Sequence, residues 1–181
     1  LEINVSCPNV SHGGMSVGSD PSALHRLVAR LRRITDKPMT IKLSPNVTDI
    51  VAIAHAAVDA GADALSLINT LVGMRIDIRT GEPILANRTG GVSGPCIFPI
   101  ALSFVWRVRQ AIPDIPIIGI GGIDSGERAL EYLYAGANAV EVGAAALYDP
   151  TAPLRVAREL DDLLDSRPDL ASRLAAGRTW R

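Results

Sequence analysis

The hydrophobic positions of this chain fall into two alternating kinds of run. Short aliphatic segments, Leu1–Val5, Pro38–Leu43, Ala64–Asn69, Ile115–Gly119 and Ala139–Val142, read as strands. Between them Leu24, Leu27, Val28, Leu31 and Ile34 recur at helical spacing. The segments Val47–Ala60, Ile100–Ile112, Glu127–Ala135 and Ala152–Leu164 carry the same period. Asp20-Pro21 and Asp149-Pro150 each have the form of a capping Asp followed by Pro at the first helical position. Gly61 and Gly136 suit helix C-termini, where a left-handed residue is needed. One junction occurs twice, as Ala60-Gly61-Ala62-Asp63-Ala64-Leu65 and as Ala135-Gly136-Ala137-Asn138-Ala139-Val140. The pattern predicts parallel strands joined by helices, with polar and glycine residues gathered after each strand, where α/β folds place their sites.

Five strand–helix units fall short of a closed (β/α)₈ barrel, which typically takes about 250 residues. Functional-looking residues nevertheless follow every strand instead of one switch point. That distribution predicts an α/β chain forming an incomplete (β/α)₈ TIM barrel, about its last five βα units, in preference to an open doubly wound sheet. On this reading residues 1–166 are the carboxy-terminal part of the barrel and 167–181 a helical-looking tail with no assigned role. Leu1 already sits in a strand-like alternation, as expected of a fragment with three βα units on its amino-terminal side. A five-strand piece alone is expected to expose two unpaired edges and to aggregate. Met74–Asn87 breaks the rhythm: Arg75–Arg79 alternates, Thr80-Gly81-Glu82 turns and Pro83-Ile84-Leu85 returns, which predicts a β-hairpin inserted after the third strand.

Composition narrows the function classes. A net charge of -1 over 181 residues argues against a nucleic-acid partner, whose phosphates need a basic surplus. No run approaches the roughly 18 apolar residues of a membrane span. Two cysteines in this length make no disulfide framework, so a reducing, cytoplasmic compartment is the default.

Candidate chemistry sits after the strands. Asn4-Val5-Ser6-Cys7-Pro8-Asn9 puts a thiol between two carboxamides and beside a hydroxyl, a setting for a base or nucleophile with a planar polar substrate. His12 follows in the same loop. Cys96, beside Pro95 and a helix start, reads as a buried small hydrophobe. Lys42 closes an otherwise apolar strand, where burial without a partner is costly, so it faces the barrel mouth or meets a bound anion. Asn69-Thr70 closes the third strand with two short hydrogen-bonding side chains. Gly90-Gly91-Val92-Ser93-Gly94, Gly119-Ile120-Gly121-Gly122 and Gly143-Ala144 are anion-binding candidates, because small residues let backbone N–H groups approach a phosphate. Barrels commonly hold phosphate after their last two strands. The chain has neither a P-loop nor a GxGxxG opening its first strand–helix unit, which disfavours a nucleoside triphosphate or a Rossmann dinucleotide. A flavin-free, phosphate-binding barrel isomerase or synthase stays open on these features.

The runs Asn4–Asn9, Lys42-Leu43-Ser44-Pro45-Asn46-Val47-Thr48-Asp49-Ile50, Ile68-Asn69-Thr70-Leu71, Gly90–Pro95 and Gly121-Gly122, in colinear order from Leu1 to about Leu164, resemble the dihydroorotate dehydrogenase family. That resemblance implies oxidation of dihydroorotate to orotate on FMN in pyrimidine biosynthesis. Cys7 would then be the base for the C5 proton, and Asn4, Asn9, Asn69 and Thr70 would bind the substrate ring and carboxylate. Lys42, Ile68 and Asn4 would contact the flavin, while Gly94, Gly121, Gly122, Gly143 and Ala144 would line its ribityl chain and phosphate. Many relatives carry threonine where Ala144 stands, so one hydroxyl contact is lost. Ser44–Asp49 and Gly73-Met74-Arg75-Ile76-Asp77 are most similar to the NAD-dependent subclass, whose catalytic subunit is expected to form a homodimer and to pair with an FAD and iron–sulfur subunit. No cysteine set for such a cluster lies on this chain, and the resemblance implies no metal site. Dihydropyrimidine dehydrogenase shares much of the barrel but carries its reactive cysteine further along the loop, near Val17–Asp20, where this chain has none.

Overall fold

The computed structural model describes residues 1–6 and 17–177. Five parallel strands form one sheet in chain order: β1 (Glu2–Asn4), β2 (Thr40–Lys42), β3 (Ala64–Leu67), β6 (Ile117–Ile120) and β7 (Ala139–Glu141). Between β3 and β6, β4 (Leu71–Met74) and β5 (Thr89–Val92) form a separate antiparallel pair. The helices are α1 (Pro21–Arg32), α2 (Ile50–Asp59), α3 (Phe98–Ala111), α4 (Gly126–Ala135), α5 (Ala152–Ser166) and α6 (Pro168–Ala175). All five expected strands and all five expected helices are present, displaced at their ends by a few residues. The sheet does not close; the fold is a partial (β/α)₈ barrel.

Local chemistry sets the boundaries. Asp20 caps α1, its carboxylate accepting from the Ser22 and Ala23 N–H groups with Pro21 in the first turn. Asp149 does something else. Its carboxylate takes both the backbone N–H and the hydroxyl of Thr151, and α5 begins only at Ala152. The Asp149-Pro150 pair therefore closes a turn that delays the helix instead of opening it. Gly136 ends α4 at φ 108°, its N–H donating back to Leu133 and Tyr132.

Alternate strand residues face opposite ways. Ile41, Leu65, Leu67 and Ile117 are fully buried against Leu24, Val28, Ile53, Val105 and Tyr132 of the helices. Each such side chain contributes about 1.5–3 kcal/mol of burial energy. The other face carries Glu2, Asn4, Lys42, Ser66, Ile118, Ile120 and Glu141, in register Asn4–Lys42–Ser66–Ile118. It is the inner face of a curling sheet. Lys42 reaches both Glu2 and Glu141, although β2 and β7 stand three strand spacings apart, about 14 Å if the sheet were flat.

The repeated junction builds the same latch twice at the amino ends of the strands. Asp63 accepts from Met39 N–H at 2.7 Å and from Arg32 Nη1 at 2.7 Å. Asn138 accepts from Ile117 N–H at 2.9 Å and from Arg109 Nη2 at 2.7 Å. In each case the arginine comes from the helix before the neighbouring strand, α1 or α3, and also reaches the glycine carbonyl of the repeat, Gly61 or Gly136.

The insertion after β3 is a hairpin, but its ladder lies outside the expected interval. Leu71–Met74 pairs with Thr89–Val92, and within Met74–Asn87 a single bridge joins Ile76 to Pro83 across the turn. Glycines make the outer pairing possible: Val72 and Gly73 face Gly91 and Gly90, where a side chain would run into Thr70 or Leu85. Gly90 and Gly91 are thus strand residues and form no phosphate loop.

Candidate active site

At the carboxyl ends of β2, β3, β6 and β7 a cavity of about 320 Å³ opens. It is lined by Lys42, Ile68, Asn69, Thr70, Ser93, Gly94, Ile97, Ile120, Gly121, Gly122, Gly143, Ala144 and Leu147. Nine of these are expected site residues, brought from five separate stretches of chain. A groove of about 380 Å³ between α3 and α4, lined by Trp106 and Tyr134, lies on the outer, helical side of the sheet. The strand-end cavity gathers polar side chains and glycine backbone from five stretches of chain, whereas the outer groove is a cleft between two helix faces.

One wall is a hydrogen-bonded network of short side chains. Asn69 Nδ2 donates to Asn4 Oδ1 at 3.0 Å and to Ser6 Oγ at 2.7 Å, while Asn69 Oδ1 accepts from Thr70 N–H at 2.8 Å. Asn4 Oδ1 also accepts from Ser6 N–H. Asn46 continues the chain, its amide donating to the Thr70 carbonyl at 3.0 Å and its oxygen accepting from Val72 N–H at 2.9 Å. Asn46 thereby fixes both the end of β3 and the root of the hairpin. The expected Asn4, Asn69 and Thr70 are held together. Ser6 and Asn46 were missing from the expected set, although Ser6 stands two residues past β1 and Asn46 four past β2.

Lys42 lines the cavity and is at the same time paired, with Glu2 Oε1 at 3.2 Å and Glu141 Oε2 at 3.9 Å. The sequence reading offered a mouth-facing lysine or a bound anion; the structure supplies protein carboxylates. Burial and the Glu2 carboxylate push the Glu141 carboxyl above its ordinary value, and the Lys42 ammonium pulls it back. The signal for both glutamates was a charge at an inward position of a strand, the same signal that singled out Lys42.

The opposite wall is backbone. Gly121 and Gly122 have φ 134° and 71°. A Cβ on Gly122 would lie 2.8 Å from Phe98 Cβ and 2.9 Å from the Gly94 carbonyl oxygen. A Cβ on Gly143 would meet nothing within 4 Å, and one on Gly94 only the Ala144 methyl at 4.0 Å, so there the backbone borders empty space. Among the described residues no acceptor takes the N–H of Gly121, Gly122 or Gly143. Behind this wall the Tyr132 ring occupies the space that a side chain on Gly119 would need. Its hydroxyl donates to the Gly121 carbonyl at 2.8 Å, and its ring meets Phe98 edge-on at 5.6 Å. Arg128, also on α4, donates to the Gly122 carbonyl at 3.1 Å.

Cys96 is exposed with its sulfur near the Ser93 carbonyl, not buried as expected, because the short 3₁₀ turn Pro95–Ile97 directs Ile97 inward in its place. Cys7, Asn9 and His12 lie outside the described residues. Among the described residues no helix is long and apolar enough to cross a membrane, and no group of three or more His, Cys, Asp or Glu side chains could hold a metal ion.

Residues 1–164 match the family model described as dihydroorotate dehydrogenase. The chain is 56% identical over 164 residues to the dihydroorotate dehydrogenase B (NAD(+)) catalytic subunit of Geobacter sp. (strain M21), covering 91% of this chain and 53% of that protein. It is 50% identical over all 181 residues to the subunit of the same name from Bacillus cytotoxicus, covering 58% of that protein. Among solved structures, ligand-free DHODH from Eimeria tenella superposes with a TM-score of 0.74 at 25% identity, covering 92% of this chain and 51% of that one. The chain spans about half the length of the curated relatives it matches. With strands, cavity and sequence in agreement, the chain belongs to the dihydroorotate dehydrogenase family.

Proposed function

We propose that this chain supplies the FMN-binding and substrate-binding mouth of an NAD-linked dihydroorotate dehydrogenase, which oxidises dihydroorotate to orotate in pyrimidine biosynthesis. The observation that carries the reading is the strand-end cavity, where Lys42, Asn69 and Thr70 face a wall of glycine backbone. The relatives' shared name supplies the reaction.

The residues present fit a phosphate-bearing flavin. The free N–H groups of Gly121, Gly122 and Gly143 are donors suited to a phosphate, and the empty space beside Gly94 and Gly143 leaves room for one. Ala144 joins them through its backbone alone. Ile68 offers apolar contact to the ring, and Lys42 places a cation at the cavity floor. When bound, FMN supplies the acceptor for the hydride leaving C6 of dihydroorotate.

The chain's own side chains do the remainder. Cys7 Sγ takes the C5 proton and returns it to solvent, which requires the site to favour thiolate. Asn4, Asn9, Asn69 and Thr70 hold the ring and its carboxylate, since each carboxamide offers both a donor and an acceptor. Electrons leave through a partner subunit carrying FAD and an iron–sulfur cluster, and the catalytic subunit pairs with a second copy in the cytoplasm.

The test is anaerobic. The intact enzyme is expected to purify with flavin absorbance that dihydroorotate bleaches, and to reduce NAD only with the partner subunit added. Absence of flavin, or a flavin untouched by dihydroorotate, overturns the reading.

A further inference from the structure

We propose that Glu2 and Glu141 are positioning residues which, from two different strands, anchor the Lys42 ammonium at the cavity floor and so fix one positive charge against the bound flavin. What the cation faces rests on the flavin reading above; the anchoring is a property of the chain itself.

The two carboxyl groups come from β1 and β7, the opposite edges of the described sheet, and converge on one nitrogen at 3.2 and 3.9 Å. Among the described strand residues no other charge shares the inner face: β3 brings Ala64 and Ser66, β6 brings Ile118 and Ile120, and β2 adds Thr40. The Lys42 side chain is 21% exposed, so an uncompensated ammonium there would be costly. The ammonium also bypasses a neighbour. Ser66 stands beside Lys42 in the β2–β3 register, fully buried, and its hydroxyl has no partner among the described residues. The carboxyl groups, not that hydroxyl, set the position of the cation.

Charge arithmetic distinguishes the two glutamates. One ionised carboxylate balances the ammonium. Two would leave the floor net negative toward an anionic, phosphate-bearing ligand, which like-charge repulsion disfavours. Glu2 is the nearer partner and supplies the balancing charge. Glu141, partly buried and crowded by Glu2, holds its proton more tightly than an ordinary glutamate and so keeps the cluster neutral to a higher pH.

The experiment uses the intact enzyme. Lys37 and Lys42 are the two lysines of this sequence, and the exposed Lys37 serves as an internal reference for acetylation by acetic anhydride, read by peptide mass spectrometry. Glu2→Gln is expected to raise the Lys42-to-Lys37 rate ratio several-fold, because the amine loses the carboxylate that holds it at 3.2 Å. Glu2→Asp, which keeps the charge, is expected to restore the parent ratio. Glu141→Gln is expected to bind FMN like the parent in acid and several-fold more tightly than the parent once the pH is high enough for Glu141 to ionise in the parent. An unchanged acetylation ratio in Glu2→Gln overturns the anchoring, as does equal behaviour of the Asp and Gln variants. Superimposable FMN-binding curves for parent and Glu141→Gln overturn the part assigned to Glu141. A parent enzyme that holds no flavin overturns the flavin reading and the cation's role toward it, while the acetylation ratio still decides the anchoring.

Discussion

At the amino ends of the strands the backbone is satisfied twice over by one repeated device: Asp63 and Asn138 each take a strand N–H and a helix arginine. At the carboxyl ends of the same strands the glycine N–H groups of the loops have no described acceptor, and a cavity stands open beside them. One end of the sheet is closed by its own side chains, and the other is left to be completed by a ligand. Stability and function are therefore assigned to opposite ends of the same short strands, as in barrel enzymes generally. Damage at either end should register in a different measurement.

The sharpest contrast comes from Cys7→Ala, expected to slow flavin reduction by dihydroorotate about 10²–10⁴-fold, the range of a general base, with the melting temperature unmoved. Stopped-flow bleaching beside calorimetry checks it, and a retained rate ends the base assignment. Gly122→Ala combines both readouts. Left-handed backbone in a non-glycine residue costs about 1–3 kcal/mol, and the new methyl would press on Phe98 and the Gly94 carbonyl. Both melting temperature and flavin retention are expected to fall. At the other end, Asn138→Ala orphans the Ile117 N–H and takes one acceptor from Arg109, a loss of about 1–3 kcal/mol in denaturant titration, with flavin affinity unchanged. A change in affinity there would break the separation of the two ends.

The smallest effect is the most specific. Asp63→Asn turns the first latch into a copy of the second, so the loss at pH 7 should stay below about 1 kcal/mol, in keeping with a partly exposed pair. The Met39 N–H and the Arg32 guanidinium hold the Asp63 carboxyl below its ordinary 3.8. Its stabilisation is thus complete above 3.8 and is lost as pH falls through the lower, folded value. Parent and variant should converge in acid, and stability curves that stay parallel would show that the charge does nothing.

Much of this was legible beforehand, for a physical reason. Helix and strand periods, the Asp20 cap and the terminating Gly136 are local signals, and their elements formed where expected. The duplicated Ala-Gly-Ala-Asp/Asn junction showed as a repeat, but its latch did not, because Arg32 and Arg109 stand 31 and 29 residues earlier, with a whole strand and helix between. Lys42, Asn69, Gly121 and Gly143 were visible as polar or small residues after strands. Glu2 and Glu141 carried the same charge-in-a-strand signal, but their convergence was not legible, since Glu141 comes within reach of Lys42 only through the curl of the sheet, which no window of sequence contains. The hairpin slipped outward because glycine pairing across Gly73 and Gly90 leaves no side-chain pattern to read.

Tyr132 ties these two halves of the molecule together. Its hydroxyl grips the Gly121 carbonyl from a helix that lines the outside of the sheet, and Arg128 on the same helix grips Gly122. Any substitution that tilts α4 must drag the glycine loop with it. A random screen for weakened chromophore retention should accordingly return hits in a segment that never touches the chromophore.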